Sequence, residues 1–283
     1  MKASPFVKWA GGKGQLLSQL DGTFPPRFGR YLEPFVGGGA VFFHLYNRGL
    51  LAGKEVILID RLVELIDCYT VVRDRVDDLI AELERHEAHK FDAEYYYQVR
   101  AWDREAGYGE RSGVERAARF VYLNRTCYNG LYRVNRKGQF NVPFGRHRNP
   151  KVCAPGRLRA ASEALQGVTV LAADFKQCEQ FAETGDLVYF DPPYHPLSRT
   201  AYFTSYTEHV FAEEEQQCLA ALFRTLDRRG CRLILNNSDT PWIRTLYEGY
   251  AITELKAARP INARGDRRGQ INELLITNPA GRA

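Results

Sequence analysis

A chain of 283 residues with 45% hydrophobic content can bury a sizeable core, as one large domain or as one domain carrying an insertion. No apolar run approaches a membrane span, and Met1-Lys2-Ala3-Ser4-Pro5 lacks a signal-peptide pattern, so a soluble, cytoplasmic protein is expected. The net charge of +5 is modest but uneven: seven basic residues and no acid lie between Asn124 and Lys151, leaving the remainder slightly acidic.

The chain opens with a glycine-rich loop, Phe6 to Gly14, before an apolar-periodic segment with Leu16, Leu17 and Leu20. A loop feeding a helix can turn backbone N–H groups toward an anion. Val7 stands where a Walker A loop needs its first glycine and Gly14 where it needs Ser or Thr, so ATP hydrolysis is disfavoured. Tyr31 to Phe43 then reads as strand, glycine turn and helix, with Glu33, Pro34 and Phe35 leading into Gly37-Gly38-Gly39. Val56–Asp60 is a second strand, ending in an acid about 20 residues past the turn, where a doubly wound sheet places its ribose-binding carboxylate. Phe42 replaces the third small residue of the dinucleotide fingerprint, which disfavours a nicotinamide-dependent oxidoreductase.

From Leu62 the pattern is helical: Leu62, Leu65, Ile66, Tyr69, Val72, Val76, Leu79, Ile80 and Leu83 recur at three- and four-residue steps. Further helical segments run from Ala93 to Trp102 and from Val114 to Leu123. The basic stretch follows, interleaved with Tyr128, Tyr132, Phe140 and Phe144, a composition suited to a polyanion and most simply to nucleic acid. Alternation of strands and helices then resumes. Val168 to Phe175 reads as a strand ending in Asp174, and Leu187–Phe190 is a buried strand. Glu213–Leu226 is a helix, Cys231–Asn236 a strand, and two last strands, Tyr250–Lys256 and Ile271–Thr277, flank a basic linker from Arg259 to Gln270. The six cysteines are scattered without C-x-x-C pairs, giving no zinc pattern and suggesting reduced core thiols.

Asp191-Pro192-Pro193-Tyr194, directly after the Leu187–Phe190 strand, is the stretch best suited to chemistry. A carboxylate and a proline-locked carbonyl can each accept from an amino N–H, and an aromatic face can stack on the ring bearing that amine. Glu33, Asp60, Asp174 and Asp191 all fall at strand ends, and open α/β sheets bind ligands outside the carboxyl ends of their strands.

With these blocks in order, the sequence resembles the Dam-type DNA adenine-N6 methyltransferases. The resemblance rests on Lys8-Trp9-Ala10-Gly11-Gly12-Lys13 and on Glu33 to Gly39. It rests further on Asn124-Arg125 with Tyr128-Asn129-Gly130-Leu131 and Arg133, on Gly138 with Phe140 to Arg146, and on Asp191 to Tyr194. It implies a Rossmann-like doubly wound α/β methyltransferase sheet spanning residues 1–61 and 146–283, with an inserted, mainly helical DNA-recognition domain at 62–145. S-adenosylmethionine is the implied methyl donor. Its implied pocket is lined by Trp9, Ala10, Gly11, Lys13, Glu33, Pro34, Phe35, Gly37, Gly39, Asp60, Asp174, Phe175 and Asp191. Asp191, Pro192, Pro193 and Tyr194 would hold a flipped adenine, while Lys8, Arg125, Tyr128, Asn129, Leu131, Arg133, Arg136, Lys137 and Arg146 would meet double-stranded DNA. The implied target is GATC, with no metal required, in a monomer acting at the nucleoid of a bacterial or phage-infected cell. A longer site containing GAT, a cytosine-N4 target and a catalytically silent DNA-binding protein stay open as alternatives. So does the setting: replication or repair, phage, or restriction-modification.

Overall fold

The computed structural model describes residues 1–196, 211–258 and 270–279. Short apolar runs form its parallel strands, because a strand buried on both faces has no polar side to present. Five strands run parallel: β1 (Tyr31–Glu33), β2 (Val56–Asp60), β3 (Thr169–Ala172), β4 (Leu187–Phe190) and β5 (Arg232–Ser238). β6 (Ala251–Ala258) and β7 (Gln270–Thr277) complete a seven-stranded sheet of order β3-β2-β1-β4-β5-β7-β6, in which β7 runs antiparallel to both its neighbours. The linker expected between the last two strands falls on residues outside those described.

Ten helices accompany the sheet among the described residues: α1 (Leu17–Leu20), α2 (Ala40–Asn47), α3 (Val63–Asp74), α4 (Val76–Glu87), α5 (Ala93–Ala101), α6 (Gly113–Thr126), α7 (Pro155–Leu165), α8 (Cys178–Phe181), α9 (Glu213–Arg228) and α10 (Pro241–Leu246). The period-2 alternation of β4 divides the interior. Leu187 and Tyr189 join Tyr31, Leu58 and α2 to α7 in one core, while Val188 and Phe190 join Leu32, Ile57 and α8 to α10 in the other. α9 buries Leu219, Ala220, Leu222, Phe223 and Leu226, the three- and four-residue spacing of an apolar helix face.

Three elements differ from the sequence expectation. The periodic run from Leu62 to Leu83 is two helices broken at Arg75 (φ −138°, ψ 37°); both bury their apolar stripe in the same core, so periodicity alone does not mark the break. The strand expected to reach Asp174 stops at Ala172, since β3 is an edge strand, and Asp174 instead caps a 3-10 turn by accepting from the Lys176 N–H at 3.1 Å. The glycine-rich loop leads into a 3-10 turn (Lys13–Gln15) and the single turn of α1, and burial of Leu16 and Leu20 accounts for the helix-like spacing. Helices α3 to α6 bring no separate core: Leu65, Tyr69, Leu79, Tyr96 and Phe120 are continuous with the sheet residues Tyr31, Leu58 and Tyr189.

Candidate active site

Strand order reverses at β1, whose neighbours are β2 on one side and β4 on the other, and a crevice at such a switch point is where open α/β sheets take ligands. β1 ends at Glu33 and turns through Gly37 (φ 47°) and Gly39 (φ 71°), conformations that favour glycine. A Cβ at Gly37 would lie 2.6 Å from the Trp9 indole, and one at Gly39 2.5 Å from the Tyr69 hydroxyl. The turn is tied to β2 because the Gly37 N–H donates to Asp60 Oδ2 at 2.9 Å, while Asp60 Oδ1 accepts from the Leu62 N–H at 3.0 Å. Asp60 remains partly exposed, and each of its oxygens can accept again. Burial raises its pKa, the Leu62, Gly37 and Arg61 N–H groups opposing.

On the face shared by Tyr31 and Tyr189, a buried lysine pairs with the Asp191 carboxylate. Lys13 Nζ lies 2.7 Å from Asp191 Oδ1, donates to the Gly11 carbonyl at 2.8 Å and stands over the Tyr194 ring, 4.8 Å from its centre. The Lys13 side chain is 3% exposed, so its charge requires that pairing. Burial pushes the Asp191 carboxyl above its ordinary pKa, and the Lys13 charge opposes it. Glu33, fully enclosed, accepts from the Tyr31 hydroxyl at 2.8 Å. Its pKa is pushed up to about 8, chiefly by burial, with the Tyr31 bond opposing and the Asp191 charge adding. The Tyr194 hydroxyl donates to Glu273 Oε2 at 2.5 Å.

The loop carrying Asp191 to Tyr194 is held from behind. Gln216 Nε2 donates to the Pro193 carbonyl at 2.9 Å, Asn237 Nδ2 donates to Gln216 Oε1 at 2.9 Å, and the His195 N–H donates to Asn237 Oδ1 at 3.2 Å. No donor among the described residues takes the Pro192 carbonyl. On the opposite face of the sheet, Phe35 stacks on Phe175 with ring centres 5.2 Å apart, and Phe211 meets both edge-on. Tyr31, Phe211, Gln216, Asn237 and Glu273 carried no motif signal; of these only Tyr31, beside the Glu33 block, was within reach of sequence reasoning.

The basic stretch forms a hairpin beside this corner. Asn135 Oδ1 accepts from the Lys137 and Gln139 N–H groups at 2.9 and 3.1 Å, and Val134 bridges Phe140, so exposed Arg136 and Lys137 stand at the tip. Arg133 Nε donates across the hairpin to Asn141 Oδ1 at 2.7 Å and stays exposed. The hairpin is anchored where the Phe140 N–H donates to Asp103 Oδ2 at 2.8 Å, the same oxygen that buried Arg119 meets at 2.7 Å. Tyr128 is 54% exposed, and Asn129 beside it is exposed at φ 56°. Arg146, also exposed, lies at the base of the hairpin rather than its tip. Arg125 turns inward: its Nη2 donates to the Phe6 carbonyl at 2.6 Å, and burial lowers its pKa to about 10.

One six-residue segment joins the hairpin side to the acidic corner. Asn124 clamps Lys8 in both directions, accepting from its N–H at 2.7 Å and donating to its carbonyl at 2.8 Å, and the Lys8 side chain crosses Gly130 so closely that a Cβ there would meet it at 2.4 Å. Trp9 stacks on Tyr132, ring centres 6.3 Å apart, and Lys13 reaches Asp191. Ala10 and Gly11 form the exposed bend between them.

A sheet of this order, with a glycine turn after β1, acids ending β1 and β2, and D-P-P-Y ending β4 at the switch point, defines a Rossmann-like methyltransferase. More narrowly, the chain belongs to the D12 class N6 adenine-specific DNA methyltransferase family, whose model matches residues 9–261. It is 45% identical to the Type II methyltransferase M.MjaIII of Methanocaldococcus jannaschii over 98% of this chain and 100% of that one. It is 41% identical to the Type II methyltransferase M1.LlaDCHI of Lactococcus lactis subsp. cremoris, over 97% and 95%. The DNA adenine methylase of Escherichia coli K12 is 36% identical over 99% and 97%. The family implies S-adenosylmethionine as methyl donor. No helix among the described residues is long and apolar enough to cross a membrane.

Proposed function

We propose that this enzyme methylates N6 of an adenine flipped out of double-stranded DNA, within GATC. The observation that carries the reading is the Lys8–Lys13 segment, which runs from the clamp beside exposed Tyr128 and Asn129 to the Asp191 carboxylate. A base leaving the duplex at the hairpin therefore has a short path to the D-P-P-Y corner.

The residues fit the donor the family implies. The glycine turn packs closely on Trp9 and Tyr69 and is tied to Asp60 through the Gly37 N–H, and Asp60 offers spare acceptors for hydroxyls. Asp191 pairs with Lys13 and is coupled electrostatically to the Glu33 and Glu273 carboxyl groups, a set able to meet a cationic ligand. S-adenosylmethionine, when bound, supplies a methyl group on a positively charged sulfur. Everything else falls to the chain. An adenine N6 lone pair is delocalised into the ring and nucleophilically weak. Asp191 and the Pro192 carbonyl accept its two N–H groups, drawing the nitrogen toward tetrahedral geometry and localising that pair. Lys13 keeps Asp191 ionised against the cost of burial, so that it can accept. Tyr194 stacks on the purine and recovers roughly 1–3 kcal/mol of the few that unstacking costs. Catalysis is then positioning and electrostatics, with no covalent enzyme intermediate.

On the DNA side, Lys8, Asn129, Leu131 and Arg133 read base edges and Tyr128 fills the opened stack. Arg136, Lys137 and Arg146 grip phosphates, and Arg125 contributes by fixing the Phe6 backbone that precedes Lys8. The test is plasmid DNA from a methylation-deficient host expressing the chain, digested with nucleases that cut only methylated or only unmethylated GATC. Protection confined to GATC is the expected result; protection of another site, or transfer of labelled methyl to cytosine, replaces the reading.

A further inference from the structure

Tyr194 is held at both ends. Its backbone is fixed by the Gln216 bond to the Pro193 carbonyl and the His195 bond to Asn237, and its hydroxyl donates to Glu273 Oε2 at 2.5 Å. Glu273 reaches this place through the topology of the sheet. β7 runs antiparallel to β5, so its early residues return to the edge where the parallel strands end, and Glu273 lies in register with Ser238 at the end of β5. A carboxylate here has an unfavourable side, because its charge acts on Asp191 and raises the Asp191 pKa. In exchange it gives a charge-assisted bond, roughly twice as strong as a neutral one, that commits the single phenolic proton of Tyr194.

From this geometry we infer that Glu273 is a positioning residue that fixes the axis of the Tyr194 ring and so presets the aromatic face for the target base. The inference rests on Tyr194 stacking on that base. With the phenol end released, the ring can swing on its Cα–Cβ bond, and each turnover has to recover an orientation that the native enzyme holds in advance.

The experiment measures single-turnover methylation of a GATC duplex, together with the fluorescence of 2-aminopurine at the target position, for Glu273→Ala, Glu273→Gln, Tyr194→Phe, Tyr194→Ala and the Tyr194→Phe/Glu273→Ala double variant. Loss of a charge-assisted bond predicts that Glu273→Ala and Tyr194→Phe each slow the step about 10-fold. The double variant should be no slower than either single one, and Glu273→Gln, which keeps an acceptor, should recover most of the rate. The 2-aminopurine signal should shift in parallel, and melting temperatures should not follow the rates. Glu273→Ala slowing the Tyr194→Phe enzyme as much as it slows the wild type would overturn the positioning role. A wild-type rate for Glu273→Ala beside a slow Tyr194→Ala would do the same. If Glu273→Ala fails to fold, Glu273→Gln decides in its place, since a Gln variant as slow as Tyr194→Phe would also overturn the role. A wild-type rate and signal for Tyr194→Ala would instead remove the stacking reading beneath it.

Discussion

Replacing Glu33 with Gln separates the electrostatics of the corner from its shape. Gln is nearly isosteric and its amide oxygen can still accept from Tyr31, so what is removed is the capacity to ionise. In the native protein the Glu33 carboxyl titrates at about 8 instead of 4.5, because burial penalises its charge. Between those values the folded protein holds a proton that the unfolded chain has released. Native stability is therefore greatest below the unfolded value, falls as pH rises through the interval and levels off above the folded value. The cost in full is on the order of 5 kcal/mol, and from pH 6 to pH 8 it grows by roughly 2 kcal/mol. Urea denaturation of the ligand-free protein at half-unit pH steps across that range measures it directly. Asp60 and Asp191, whose pKa values are raised in the same direction, are common to both proteins, so the comparison isolates Glu33 together with its coupling to their charges. The wild type should lose stability relative to Glu33→Gln as pH rises. Parallel curves would refute the buried neutral carboxyl, and with it the expectation that a cationic donor displaces a proton from Glu33 and binds more tightly as pH increases.

Other substitutions have definite expected outcomes. Asp191→Asn should slow single-turnover transfer by about 100- to 1,000-fold, since it removes an acceptor and turns an amide toward the Lys13 ammonium; wild-type-like turnover would remove the proposed chemistry. Arg133→Ala should cost about 1–3 kcal/mol of discrimination at one base pair, read from rates on single-substituted duplexes, whereas an equal loss on every sequence would reassign it to phosphates. Gly39→Ala should destabilise by about 1–3 kcal/mol, given a φ of 71° and a Cβ placed 2.5 Å from the Tyr69 hydroxyl; an unchanged denaturation midpoint would count against strain at that turn.

Much of this protein is legible in its residues because each motif is a local physical object. Leu187 to Phe190 reads as a short strand covered on both sides, Gly37 to Gly39 as a tight turn, and Asp191-Pro192-Pro193-Tyr194 carries its acceptors and aromatic face in four consecutive positions. The break at Arg75 was hidden, since two helices packed into one core keep one periodicity. The early end of β3 was hidden as well, because an edge position is a property of the sheet and not of the strand.

The amino-acid order alone determined where most strands lie, the glycine turn, Glu33, Asp60 and Asp191 at or directly after strand ends, and the basic stretch with its aromatics. Tertiary structure alone decided which of them meet. Lys13 reaches Asp191 across 178 positions of chain, Arg125 turns away from solvent to the Phe6 carbonyl, and Glu273 arrives beside Tyr194 because β7 enters the sheet reversed. Such pairings depend on burial and on strand order, which no local spacing encodes. A carboxyl displaced to about 8 and a lysine that needs a partner exist only once the fold has excluded water from around them.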